Sequence, residues 1–404
     1  MAELLKGNAV VGQSGGPTAV INQSLVGVIE AAKVAPMIRR LLGARHGVRG
    51  IIQENFADLK GLNAALLERI AATPGSALGS TRDKPDQEYC RKIFAVFARH
   101  DVRYFFYIGG NDSADTARIV NELACQAGYE LRVFHIPKTI DNDLRVTDHC
   151  PGYGSAARFV ASAMMGEDRD NASLPGVKIS IIMGRRAGWL TAASMLARQD
   201  SDDGPHLIYV PEVPFSLPRF AADVKEVYGR LGRCLVAASE GIADWRGLPI
   251  AVKLALQLGK PVEHDEHGNP QLSGTGILGD FLAEFVKAKF GKKKVRIRAD
   301  TYGYLQRSFA GYASPVDAAE ARLVGRTAVE YAMAGDVDGS VALRRTKGRA
   351  YAIECFRTTL ASVAGGTKDL PRKYISRAGN NINESFRAYA APLAGELPPM
   401  GKLT

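Results

Sequence analysis

The sequence is short of cysteine, of long apolar runs and of acid to balance its bases. Its five cysteines, Cys90, Cys125, Cys150, Cys234 and Cys355, are scattered, odd in number and never in a C-x-x-C pair. That spacing excludes a disulfide framework and a zinc ribbon, and predicts reduced thiols. No stretch approaches the ~18 apolar residues that span a bilayer, so no membrane is expected as a partner. The opening, MAELLKGNAVVGQSGG, lacks the apolar segment of a secretory signal and runs straight into a strand. A cytoplasmic protein is the expectation. Solenoid-period repeats and low-complexity tracts are missing too. The shortage of acid is 42 Asp+Glu against 52 Lys+Arg, a net +10. Such an excess suits an anionic partner: nucleic acid, an acidic surface or phosphorylated metabolites.

What is present is ordinary globular material. Hydrophobic residues make up 46% and charged residues 23% of 404, enough chain for two α/β domains. Buried-strand patterns at Asn8–Gln13, Arg103–Ile108, Leu131–Ile136, Val177–Met183, His206–Pro211 and Cys234–Ala238 alternate with amphipathic helical stretches. One such helix carries Ile21, Leu25, Val28 and Ile29 on a face, another Val120, Leu123, Ala124 and Ala127. Apolar strands of this kind predict parallel sheet covered on both faces, in two Rossmann-like, doubly wound domains. The stretch 264–270, HDEHGNP, reads as a hairpin or surface loop. Its His264 and His267 have no partner ligands nearby, so a solvated loop is favoured over a metal site.

The polar signatures all follow strands, where doubly wound sheets bind ligands. Ser14-Gly15-Gly16 lets backbone N–H groups approach an anion, although a tight turn explains a glycine pair equally well. Gly109-Gly110-Asn111-Asp112-Ser113 is a second such turn. Ser113 suits a helix cap with Asp115 in the first turn, which leaves Asp112 unexplained. In Lys138-Thr139-Ile140-Asp141-Asn142-Asp143 two carboxylates stand two apart, with a lysine three before the first. Phosphoryl transfer to an alcohol needs a base, oxygen ligands for Mg²⁺ and cations on the transferring oxygens. Asp141, Asp143 and Lys138 can divide those tasks. In isolation the bland alternative, an Asx-rich turn, is favoured.

Taken together, the motifs reverse that preference. SGGPTAVIN (14–22), GSTR (79–82), GGNDS (109–113), PKTIDND (137–143), PGYGS (151–155), MGR (183–185), SEG (239–241) and YLQR (304–307) occur in an order that resembles the phosphofructokinase family, in its pyrophosphate-dependent branch. The resemblance implies two Rossmann-like domains with the active site in the cleft between them. Residues 1–150 with roughly 308–360 would bind the phosphoryl donor, and 151–307 with roughly 361–404 the sugar phosphate. It implies Asp141 as the base that takes the proton of the sugar 1-hydroxyl. Asp143, Asp112 and Asn111 fall at the Mg²⁺ positions, the last where relatives carry aspartate. Thr139, Ile140, Met183, Gly184, Arg185, Glu240, Arg298, Tyr304 and Arg307 fall at the sugar-phosphate positions. Gly15, Gly16, Arg82, Gly110 and Lys138 cradle the donor. Where relatives carry an upstream phosphate-binding arginine on the strand before MGR, this chain offers Lys178 instead. A homodimer or homotetramer is implied as well.

Two positions select the donor. ATP-using relatives have glycine where Asp112 and Lys138 stand. A carboxylate at 112 occupies the place of the α-phosphate and repels it, while an ammonium at 138 can stabilise a departing phosphate. The expected substrates are therefore pyrophosphate and fructose 6-phosphate. Other readings remain: an ATP-dependent phosphofructokinase, a lipid or NAD kinase with a similar glycine loop, or the same chemistry on sedoheptulose 7-phosphate. A reading of another class is nucleic-acid binding through residues 287–298, KAKFGKKKVRIR. This run has seven bases and no acid, and without it the net charge falls from +10 to +3. Only Phe290 interrupts it, where RNA readers interleave several aromatics. A solvated helix end leading into a strand, with Val295 and Ile297 inward, is the favoured alternative, so no nucleic-acid partner is expected.

Overall fold

A computed structural model describes residues 5–257, 276–348 and 350–402. The stretch 264–270 read above as a hairpin or loop lies outside the described residues. The chain divides into two compact units, Met1–Ser155 with Arg307–Lys368 and Ala156–Gln306 with Asp369–Thr404.

The strands among the described residues are, in chain order, β1 (Gly7–Gln13), β2 (Ile38–Ala44), β3 (Phe56–Asp58), β4 (Val102–Gly109), β5 (Arg132–Pro137), β6 (Val177–Ile182), β7 (Leu207–Tyr209), β8 (Cys234–Ser239), β9 (Ile297–Thr301), β10 (Asp338–Arg345) and β11 (Ile353–Thr358). The first unit holds the sheet β11-β10-β5-β4-β1-β2-β3, parallel except at its two edge strands. The second holds β7-β8-β6-β9, parallel throughout. Buried side chains line both faces of the first sheet. Val11, Tyr104, Phe106 and Phe134 join one cluster, and Val10, Phe105, Tyr107 and Val133 the other. That two-sided burial is why these strands read as unbroken apolar runs rather than alternating ones.

The expected strands agree with the observed ones to within a residue, except His206–Pro211, which shortens to Leu207–Tyr209. A larger difference concerns the helix after GGNDS. It begins at Asn111, with Gly110 as an extended N-cap, so Asp112 and not Asp115 occupies its first turn. Ser113 does not cap: its Oγ donates to Ser14 Oγ at 3.0 Å. The C-terminal tail is exposed at Pro398, Pro399, Gly401 and Lys402 yet is tied to the unit by polar contacts. Met400 N donates to Gln199 Oε1 at 3.0 Å, Gln199 Nε2 to Pro398 O at 3.0 Å, and Lys402 pairs with Asp200 and Asp203.

The basic run closes the helix Ile277–Phe290, turns through exposed Lys292–Lys294 and enters β9, with Ile297 buried and Val295 against the core. No helix among the described residues is long and apolar enough to cross a membrane.

Candidate active site

In the first unit, three signature loops leave the carboxyl ends of neighbouring parallel strands. β1 ends into Ser14-Gly15-Gly16, β4 into Gly110-Asn111-Asp112, and β5 into the loop 138–143. The sheet order β5-β4-β1 is what assembles segments that lie far apart in sequence. Lys138 N donates to Gly109 O at 3.0 Å, and Lys138 Nζ reaches across to Gly16 O at 2.8 Å.

Both glycines of the first loop are explained by close approach. Gly15 has φ +75, and a Cβ there would stand 3.1 Å from Lys138 Nζ; one at Gly16 would stand 3.2 Å from Arg307 Cζ. Glycine lets the two cations lie close on this backbone, and the left-handed φ at Gly15 favours it further. The GSTR loop is cross-linked to the same turn, with Gly15 N donating to Thr81 O at 2.9 Å and Ser80 Oγ to Gly15 O at 2.6 Å. Beside Arg82, Asp83 accepts from Arg49 at 2.5 Å and from Tyr89 at 2.7 Å. Burial would raise the Asp83 pKa, but these bonds and one to Thr81 outweigh it and bring it to about 2. Arg82 is thus carried on a loop fixed by a permanently charged neighbour.

Electrostatically the pocket is poised for an anion. Lys138 is buried, and burial together with Arg307 and Arg82 pushes its pKa down to about 7, against the pull of Asp141 and Asp143. Asp143 is shifted the other way. Burial and the neighbouring Asp141 raise its pKa, with Lys368 and Thr139 opposing. Thr139 Oγ1 accepts from Asp141 N at 3.1 Å and donates to Asp143 Oδ1 at 3.4 Å, so one hydroxyl ties both acids together. A carboxylate raised by burial and by a neighbouring acid is the chemistry a divalent cation relieves.

The remaining predicted metal positions are more engaged. Asn111 Oδ1 accepts from Asp112 N at 2.9 Å, and the Asp112 carboxylate lies 3.6 Å from Lys84. Among the described residues there is no group of three or more His, Cys, Asp or Glu able to hold a metal alone. A cation here would draw on Asp143 and on oxygens from outside the protein, which suits Mg²⁺ better than a metal needing a full protein cage.

In the second unit, the MGR and SEG segments and residues 304–306 of YLQR follow β6, β8 and β9, again at carboxyl ends. Met183 N donates to Gln306 Oε1 at 3.3 Å, Ser239 Oγ to Gly184 O at 2.6 Å, and Gly184 N to Glu240 Oε1 at 3.5 Å. A Cβ on Gly241 would stand 2.1 Å from Arg185 O, so the two loops pack backbone to backbone. Met183 and Glu240 are buried, Arg185 is half-buried, and Tyr304 is half exposed. Arg298 is exposed on β9, paired in register with Lys178 on β6, and donates to Ile297 O at 2.9 Å. Lys178 is an unsuitable phosphate ligand here. It is bonded to Asp300 and lies 3.8 Å from Glu167, so its charge is already met.

Of the residues expected near the sugar phosphate, Met183, Arg185 and Glu240 belong to the second unit and Arg307 does not. It belongs to the first, over Gly16. Two supporting residues were not apparent from sequence. His135 is buried beneath the GGNDS turn with its pKa lowered to about 4 by burial, hence neutral. Its Nε2 donates to Gly109 O at 2.9 Å, which leaves Nδ1 to accept from Ser340 Oγ at 2.7 Å. Lys368 is the other; its ammonium donates to two carbonyls of the loop that follows Asp143. Neither lies in a motif. A groove of about 620 Å³ bounded by Ala31, Val34, Leu67, Val329 and Met333 is lined by none of the predicted site residues.

Comparison with known proteins is consistent with this picture. The phosphofructokinase family model matches residues 8–332. A pyrophosphate–fructose 6-phosphate 1-phosphotransferase of Rhodospirillum rubrum is 54% identical over 396 residues, covering 98% of this chain and 96% of the relative. One of the same name from Xanthomonas campestris is 39% identical over 405 residues, covering 98% and 93%. The crystal structure of a pyrophosphate-dependent phosphofructokinase from Marinobacter aquaeolei is similar with a TM-score of 0.84 and 35% identity, over 98% of this chain and 94% of that one.

Proposed function

The chain belongs to the phosphofructokinase family, and on that premise we infer that it moves a phosphoryl group from pyrophosphate to the 1-hydroxyl of fructose 6-phosphate. The products are fructose 1,6-bisphosphate, phosphate and a proton, and the reaction runs in both directions. The observation that carries the donor assignment is the Lys138 ammonium lying over the Gly15-Gly16 turn, 2.8 Å from Gly16 O, on the same unit as Asp112. A small dianionic group replaces Gly16 O as a partner of that ammonium. The Asp112 carboxylate, at the start of the helix Asn111–Gln126, opposes any further phosphate of a nucleotide.

In this reading Asp141 takes the proton from the sugar hydroxyl as it attacks phosphorus. Lys138 and Arg82 meet the charge on the oxygens of the departing phosphate. Thr139 keeps Asp141 and Asp143 in register, through the bonds described above. Asp143 would hold Mg²⁺, which supplies charge neutralisation to the phosphate oxygens when bound, with Asp112 and Asn111 as further oxygen donors. On the acceptor side, Met183, Gly184, Arg185 and Glu240 orient the sugar, and Arg298, Tyr304 and Arg307 bind its phosphate. Arg307 is the cation of that group which shares a unit with the donor loops. A homodimer or homotetramer in the cytoplasm completes the proposal.

The test is a side-by-side Mg²⁺-dependent assay with pyrophosphate and ATP as donors and fructose 6-phosphate as acceptor. Turnover with pyrophosphate is expected to dominate. Faster turnover with ATP at matched concentration would overturn the assignment.

A further inference from the structure

The loop that carries Asp141 and Asp143 does not hold its own shape. Between β5 and the helix Tyr153–Ser173 it takes left-handed backbone at Asn142 (φ 56) and at Val146 (φ 72). Asparagine tolerates that region, but a β-branched valine there is strained and must be held by its surroundings. From within, Asn142 Oδ1 accepts from Cys150 N at 3.0 Å and Thr147 Oγ1 donates to His149 O at 2.8 Å, beside the Thr139 bonds given above. From outside, β10 and Glu320 hold the returning limb, with Asp148 N donating to Leu343 O at 2.8 Å, Leu343 N donating to Thr147 Oγ1 at 2.9 Å and His149 bonded to Glu320 at 2.6 Å, while residues 360–368 brace the outgoing limb. Leu144 forms an antiparallel bridge with Thr367, Arg145 donates to Gly365 O at 3.1 Å, and Leu144 and Cys150 pack with Val363 and Ala114.

Lys368 ends that segment and makes the most contacts with the loop's main chain. Its N–H donates to Asp143 O at 2.7 Å. Its ammonium donates to Thr147 O at 3.0 Å and to Asp148 O at 2.8 Å. One residue therefore grips the loop directly at a catalytic acid and again four and five positions later, on the returning limb. Burial of an ammonium between carbonyls costs free energy unless those bonds are made, so the interaction is directional rather than a loose surface tie.

We propose that Lys368 is a positioning residue that holds the Asp141–Asp143 loop in its working shape through these three main-chain bonds. It acts through the backbone that aims the two acids. The assignment rests on the roles given above to Asp141 and Asp143.

The test compares Lys368→Met and Lys368→Arg with the wild-type enzyme, both in turnover and in trypsin cleavage after Arg145, which is exposed on the strained limb. Methionine keeps the stem and the backbone N–H but removes both ammonium bonds. Loss of aim is expected to lower kcat about 10–100-fold while KM for fructose 6-phosphate stays within about threefold, since the acceptor loops of the second unit are untouched. Arginine, which can still donate to both carbonyls, should restore kcat to within about fivefold. Cleavage after Arg145 in the ligand-free protein should quicken about tenfold or more in the methionine variant. A methionine variant with kcat within about twofold of wild type overturns the proposal even if cleavage quickens, because Lys368 is then only a structural tie. Unchanged cleavage overturns it as well. If the wild-type enzyme turns over no pyrophosphate, that failure belongs to the donor reading, and the cleavage comparison alone decides for or against Lys368.

Discussion

At the scale of the residue, the site is built from groups whose charge is costly until a ligand arrives. Lys138 is the plainest case, with a pKa of about 7 in the folded protein against 10.5 when unburied. Between those values the unfolded chain binds more protons than the folded one, so folding stability rises with pH across that window. Replacing Lys138 with methionine removes the titration. Wild-type stability relative to Lys138→Met should therefore climb by on the order of 1 kcal/mol per pH unit from pH 7 toward pH 10. Urea unfolding of both proteins at pH 7, 8 and 9 measures this, and parallel pH dependences would contradict it. The same residue stands out in sequence because it sits in PKTIDND, beside Asp141 and Asp143. His135 and Lys368 do not. Each supports its loop through main-chain bonds that carry no motif, and Lys368 is 220 positions from Asp148.

At the scale of the element, what was readable was the strand end. Apolar runs bounded by glycine and aspartate marked β1, β4 and β5 to within a residue, because two-sided burial leaves no other pattern. The start of the helix after β4 was misjudged for a local reason. Gly110 opens that helix in an extended conformation, and Ser113, whose type suggests a cap, spends its hydroxyl on Ser14. Helix pairing was not readable at all. The helices Ile21–Val34 and Pro315–Met333 touch backbone to backbone. A Cβ at Gly27 would stand 2.1 Å from Arg322 O, and one at Gly325 equally close to Ser24 O. Arg322, bonded to both Glu30 and Glu68, fixes the same pairing from its polar edge. Gly325→Val must push the helices apart, and is expected to cost about 2–4 kcal/mol. Thermal denaturation should show a lowered Tm; an unchanged Tm would mean that the pair can separate freely.

At the scale of the whole molecule, neither unit is a continuous piece of chain. The first is left unfinished at Ser155 and resumed at Arg307. The resumed part supplies β10, which pairs with β5 through Asp338↔Val133, Gly339↔Phe134 and Ser340↔His135, and the helix whose Val324, Ala328 and Val329 fill the core. A fragment ending at residue 306 leaves β5 as a bare edge beside an uncovered apolar face. Sedimentation of that fragment after expression should find it mostly aggregated, and a soluble, cooperative fragment would show the first unit to be self-sufficient. The interleaving has a consequence in time. As the nascent chain leaves the ribosome, β1 to β5 are exposed long before their closing strand exists, through the synthesis of the 200 intervening residues at roughly 5–20 per second. For those seconds the strand that delivers Lys138 and Asp141 is an open template. A chaperone that shields strand edges would have its moment of greatest use there, before the ribosome reaches β10.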